Sequence, residues 1–155
     1  MVKLKKIREV MEMTRKQNRY LLIEGALCII SLALIFNLSG TVRQSVSEFY
    51  LNPLMLVLYA LVAKPLFAFS LSAVAAVALL KRQSIHIPAG ICRGIRVILY
   101  VSLAVYLLAA ALWYSRVMGT AGSMFFFRIV DSEVPFILAG VVTSVLYFAG
   151  DHSQI

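Results

Sequence analysis

Four ionisable side chains stand within or beside long apolar runs, and their types are the ones that could do chemistry there: Glu24, Lys64, Asp131 and Glu133. A lysine in hydrocarbon is costly unless it faces a protein interior or a water-filled cavity, where it can hold an anionic group or pair with a carboxylate. The other reactive residue types do not gather. His86 and His152 are the only histidines, and Cys28 and Cys92, the only cysteines, form no CxxC pair. The chain contains no HExxH, no GxSxG and no glycine-rich phosphate loop. Both histidines fall outside the apolar runs, so they cannot clamp a haem between two spans. The expectation is a protein with no catalytic residue, no cofactor and no metal site, and so not an enzyme.

The elements that must carry the four residues follow from composition. Of 155 residues, 61% are hydrophobic and 14% charged, against about 45–50% and about 25% in a soluble domain. Mean hydropathy is +0.89. Too few charges remain to coat a water-soluble globule, which excludes an ordinary cytosolic enzyme, a disordered chain and a nucleic-acid-binding domain. The fold expected is all-α and polytopic: a four-transmembrane-helix bundle with a short basic amphipathic N-terminal helix. Residues 1–19 read as a basic cytoplasmic segment, 20–149 as the membrane domain and 150–155 as a cytoplasmic tail. Spans are expected at 20–38, 53–80, 97–114 and 132–149, with loops at 39–52, 81–96 and 115–131; a bilayer needs about 20 apolar residues per helix. The first apolar run is too long for a signal-peptide core and no small-x-small site follows it, so it reads as a retained span.

Charge placement orients these spans. Lys3, Lys5, Lys6, Arg8, Arg15, Lys16 and Arg19 precede the first span, and Lys81, Arg82, Arg93 and Arg96 fall between spans two and three. With the N-terminus inside, the inner side carries eleven basic residues, and Arg43, Arg116 and Arg128 give three outside. The positive-inside bias then puts both termini in the cytoplasm at the cell membrane, with Trp113-Tyr114 and Phe49-Tyr50 in the outer aromatic belt. The net charge of +8 reads as contact with anionic inner-leaflet lipid, not with nucleic acid. Leu4, Ile7, Val10 and Met11 keep helical spacing among basic residues, which predicts an interfacial helix lying flat on that leaflet. Cys28 and Cys92 fall near the reducing side, where no disulfide is expected.

Lys64 lies roughly 16 Å into span two, near the bilayer centre, where a lysine costs about 2.5–3.5 kcal/mol. It shares a helical stripe with Ala60, Ala68, Ser72 and Ala76 and is expected to face the bundle. Pro65 beside it removes a helix hydrogen bond and leaves the Leu61 carbonyl without its donor. Asp131 and Glu133 are the expected partners of Lys64, with Phe125-Phe126-Phe127 dipping into the outer interface beside them. Glu24, roughly 6 Å into span one, is expected to hydrate or to pair with Arg19 or Arg96. Small residues (Gly140, Ser144, Ala139 and Thr143 in span four; Ser102 and Ala109-Ala110-Ala111 in span three) allow close helix approach.

Arg19-Tyr-Leu-Leu-Ile-Glu-Gly25, opening span one, resembles small four-span proteins proposed to move polyprenyl-linked sugars across membranes. The aromatic and basic endings of spans two and four in that group are replaced here by Ala78-Leu-Leu-Lys81-Arg82 and Tyr147-Phe-Ala-Gly150, so no residue role is carried over. The function expected is action through a protein partner, as an accessory or assembly subunit of a membrane complex or as a homo-oligomer. The alternative is a small transporter, channel or lipid-linked substrate flippase that uses Lys64 for an anionic group.

Overall fold

Three of the four prolines stand at or just before the start of a helix, where the missing N–H leaves no helical bond unmade; Pro65, which follows π-helical residues, is the exception. Pro53 opens α2 (Pro53–Val57), Pro65 is the second residue of α3 (Lys64–Leu80), Pro88 caps α4 (Ala89–Tyr114), and Pro135 is the second residue of α6 (Val134–Ala149). Between α2 and α3 the chain is π-helical over Leu58–Ala63. The segment before Pro53 has no proline, and there α1 (Val2–Ser47) runs 46 residues without a break, about 69 Å at the helical rise. A further helix, α5 (Thr120–Asp131), precedes α6. A computed structural model describes residues 2–47, 53–80 and 87–149, and no strand occurs among them.

Gln17–Val42, Leu54–Leu80 and Gly90–Tyr114 are each long and apolar enough to cross a membrane. Thr120–Asp131 and Val134–Tyr147 meet at a 50° bend and supply a fourth crossing if the pair is one broken span. This is a membrane protein with three such helices, or four.

The helices depart from the expected boundaries in three places. The loop expected at 115–131 is mostly α5: no proline interrupts 120–131, and Phe126 and Val130, four residues apart on one helix face, are buried rather than merely interfacial. The loop expected at 81–96 yields to α4 from Ala89 onward, so Arg93 and Arg96 are helical; Lys81, Arg82 and His86 lie outside the described residues. No break separates the basic segment from the first span. The separate interfacial helix is replaced by the opening turns of α1, since nothing between Val2 and Gln17 interrupts helical hydrogen bonding. Of the seven basic residues there, the side chain of Arg19 is described and exposed; the other six side chains lie outside the described residues, as do His152 and the Phe49-Tyr50 pair.

Packing centres on α3, which lies against both α1 and α6. Ser72 and Ala73 approach Gly140, while Ala73 also meets Ser144, and Lys64 meets Asp131; residue numbers rise together, so α3 and α6 run parallel. A Cβ on Gly140 would collide with the Ser72 hydroxyl and the Phe69 carbonyl. Only glycine lets the two backbones come this close, the packing that replaces hydrophobic drive inside a bilayer. The Ser144 hydroxyl reinforces the seam by donating toward the Ala73 carbonyl at 3.2 Å and its own helix's Gly140 carbonyl at 3.0 Å.

Helix α4 is held differently. Cys92 packs with Leu146, and Tyr106 packs with Phe136 and Phe126, so α4 runs antiparallel to α6 and touches the rest of the chain along one edge. None of the most apolar 18-residue window of α4 is buried, against 28% for Leu54–Leu80. Helices α1, α3 and α6 thus form a tight group, with α4 attached along its side.

Candidate functional site

The polar site forms where two helices lose their regular bonding. Pro65 has no N–H, so the Leu61 carbonyl loses its helical donor, and the chain ahead of it widens until the Lys64 N–H bonds the Tyr59 carbonyl, five residues back. The Tyr106 hydroxyl on α4 then donates to the Leu61 carbonyl at 2.7 Å. A neighbouring side chain re-satisfies the freed backbone group, as hydrocarbon requires. The expected disturbance at Pro65 is therefore present, in the form of a π-helical stretch capped from another helix.

The second irregularity lies opposite. After Asp131, Glu133 adopts φ 55°, in the left-handed region that favours glycine. Its carbonyl accepts the Phe136 and Ile137 N–H groups at 3.1 Å each and so starts α6. Lys64 Nζ lies 3.5 Å from Asp131 Oδ1 and 5.4 Å from the centroid of the Tyr59 ring. The side chains of Lys64 and Asp131 are 32% and 79% exposed, so this pair lies at the edge of the packed group rather than in a sealed interior. Of the two expected partners, Asp131 takes the lysine. Glu133 makes no ion pair among the described residues and lines a groove between α3 and α6.

Glu24 is not part of this site. Tyr20 and Ser144 share a hydrogen bond at 3.4 Å, and the Tyr20 ring stacks on Tyr147 with centroids 4.4 Å apart. Glu24 lies one turn beyond Tyr20 and interacts with it. Ser144 is about 16 Å along α6 from Glu133, so the two polar clusters occupy different levels. The expectation that Glu24 hydrates or pairs is corrected: it is 6% exposed, its Oε2 has no hydrogen-bond partner, and neither Arg19 nor Arg96 pairs with it among the described residues.

Comparison with known proteins finds no relative. No family model, no curated protein and no solved structure matches the chain.

A different kind of candidate lies on α4. Cys92, Leu99, Tyr106 and Trp113, spaced by sevens, face the rest of the chain. On the opposite side, Gly90, Gly94, Val97, Val101, Ala104, Leu108 and Ala111 follow alternating spacings of four and three, and all are exposed. That is the repeat that lets one helix seat another by knobs-into-holes packing, here with small residues that bring backbones close. A Cβ at Gly90 or Gly94 would meet nothing within 4 Å. No sequence-level reading singled out this face; its small residues become distinguishable only once the inward face is known. Among the described residues no group of three or more His, Cys, Asp or Glu side chains could hold a metal ion, and Cys28 and Cys92 are free thiols.

Proposed function

We propose that this protein acts through partners, seating a transmembrane helix of another polypeptide along the outward face of α4. It would serve as an accessory or assembly subunit of a membrane complex, or as a homo-oligomer when the second helix comes from another copy. The observation that carries this is the exposed four-three repeat, with Gly or Ala at four of its seven positions, on a span with no buried residue in its apolar window. The proposed setting is the cell membrane with both termini cytoplasmic, supported by the distribution of basic residues. The test is native mass after mild extraction from the source membrane. Wild type is expected above the 17.2 kDa of one chain, whereas Gly94→Leu or Ala104→Leu should run as a monomer with unchanged helix content. A wild-type chain that runs only as a monomer contradicts the proposal, and the masses of the wild-type complexes separate a second copy from a different subunit.

One observation favours a second reading, transport of an anionic group. Lys64 stands between two helix discontinuities, the π-helical Leu58–Ala63 and the bend after Asp131, and broken helices commonly mark transporter sites. The Lys64–Asp131 contact weighs against it, because the ammonium is already engaged.

A further inference from the structure

Among the described residues Glu24 is the only Asp, Glu, Lys or Arg that is buried, at 6% exposure, and its Oε2 has no hydrogen-bond partner. It lies one turn, about 6 Å, deeper in the Gln17–Val42 span than Tyr20. No lysine or arginine pairs with it among the described residues. Of the helices beside it, α3 has no titratable side chain after Lys64, which Asp131 engages, and α6 has only Tyr147. Cys28, one turn deeper on α1, is a free thiol. Nothing in these surroundings supplies the positive partner that an ionised carboxylate in hydrocarbon requires.

The neighbouring hydroxyls show what is missing. A serine hydroxyl has a single proton to donate. Ser144 directs it to the Gly140 and Ala73 carbonyls, at 3.0 and 3.2 Å. In the 3.4 Å contact between Ser144 and Tyr20, the phenol must therefore be the donor. Its ring is fixed by stacking on Tyr147. With its proton committed to Ser144, the Tyr20 oxygen offers Glu24 only lone pairs. An ionised carboxylate also has only lone pairs, so the two side chains match only when a proton lies between them.

We propose that Glu24 binds an exchangeable proton within the membrane and donates it to the Tyr20 oxygen. The donors then run in one direction, from Glu24 to Tyr20, from Tyr20 to Ser144, and from Ser144 to the carbonyls of the α3–α6 seam. A contact that only the acid form completes thus ties α1 to that seam. This site is independent of a partner on α4 and of the Lys64–Asp131 pair.

The test is infrared spectroscopy of the full-length chain in phosphatidylcholine vesicles at neutral pH. Wild type is expected to show a carboxylic-acid C=O band that moves to lower wavenumber in D2O and is lost in Glu24→Gln. That variant should keep the wild-type thermal midpoint, because the amide N–H can donate to Tyr20 in place of the acid. Tyr20→Phe keeps a ring to stack on Tyr147 but removes the acceptor, so it should retain the band and move it to higher wavenumber. A tyrosine that only fills space would leave the band where it was. The proposal is overturned if wild type has no acid band that Glu24→Gln removes, as when Glu24 is ionised or holds a metal cation. A band indifferent to D2O or to Tyr20→Phe, or a Glu24→Gln chain that does not fold, overturns it equally.

Discussion

Glycines on two helices of this chain meet opposite surroundings. Gly140 on α6 is pressed against α3 so closely that a methyl group would strike the Phe69 carbonyl and the Ser72 hydroxyl. Gly90 and Gly94 on α4 have the same freedom to admit a neighbouring backbone, and nothing within 4 Å takes it. Inside hydrocarbon, small residues are the means of holding helices together, since lipid tails are as apolar as leucine. The difference teaches that the α3–α6 seam is how this chain folds, while the α4 face contributes nothing to that fold. Under the proposed function, that face is where a helix of another polypeptide seats.

The sharpest way to break this comparison is to fill the occupied seam. Gly140→Leu is expected to cost about 3 kcal/mol or more, as overpacking against backbone does, and to abolish a cooperative thermal transition in detergent. If it unfolds no more readily than wild type, the α3–α6 contact is not what holds the fold. Tyr106→Phe should cost less, about 1–2 kcal/mol, because it leaves the Leu61 carbonyl without its donor but removes no packing. An unchanged midpoint would mean that α4 is not tied to the π-helical stretch. The smallest effect is expected for the ion pair. A double-mutant cycle of Lys64→Leu and Asp131→Leu should give a coupling below about 1 kcal/mol, discounted because Asp131 is 79% exposed. A larger coupling would show a desolvated pair and move Lys64 into the folding core.

The class of protein was more legible in the sequence than the sites. Hydropathy marks the apolar runs, and Pro53 opens both the expected second span and α2, but α4 starts at Ala89, eight residues before the third span expected, and Pro65 and Pro135 stand inside expected spans rather than at their starts. The approach of Lys64 to an acid near residue 131 was legible because an ammonium within an apolar run demands a partner. The choice of Asp131 over Glu133 was not, since it depends on the course of the backbone between α5 and α6, where Glu133 has a positive φ. Tyr106 was invisible as the donor for Leu61: the orphan carbonyl can be read from Pro65, but which helix lies beside it cannot. The inside of α5 was missed because Phe125-Phe126-Phe127 reads as interfacial until Phe126 is seen buried and Phe125 exposed. Glu24 misled for a related reason. A carboxylate one turn inside a span looks hydrated, and only the folded chain shows it to be buried.

Whether α4 meets another polypeptide, as proposed, is tested most directly by site-directed photocrosslinking in intact source membranes. Probes at Ala104 and Leu108 lie on the open seam, whereas a probe at Leu107, 58% exposed, lies about a quarter turn away on the same helix. The prediction is a discrete protein adduct from Ala104 and Leu108, with lipid adducts predominating at Leu107. Lipid adducts alone at all three positions would contradict it and leave α4 as a span that only lipid covers.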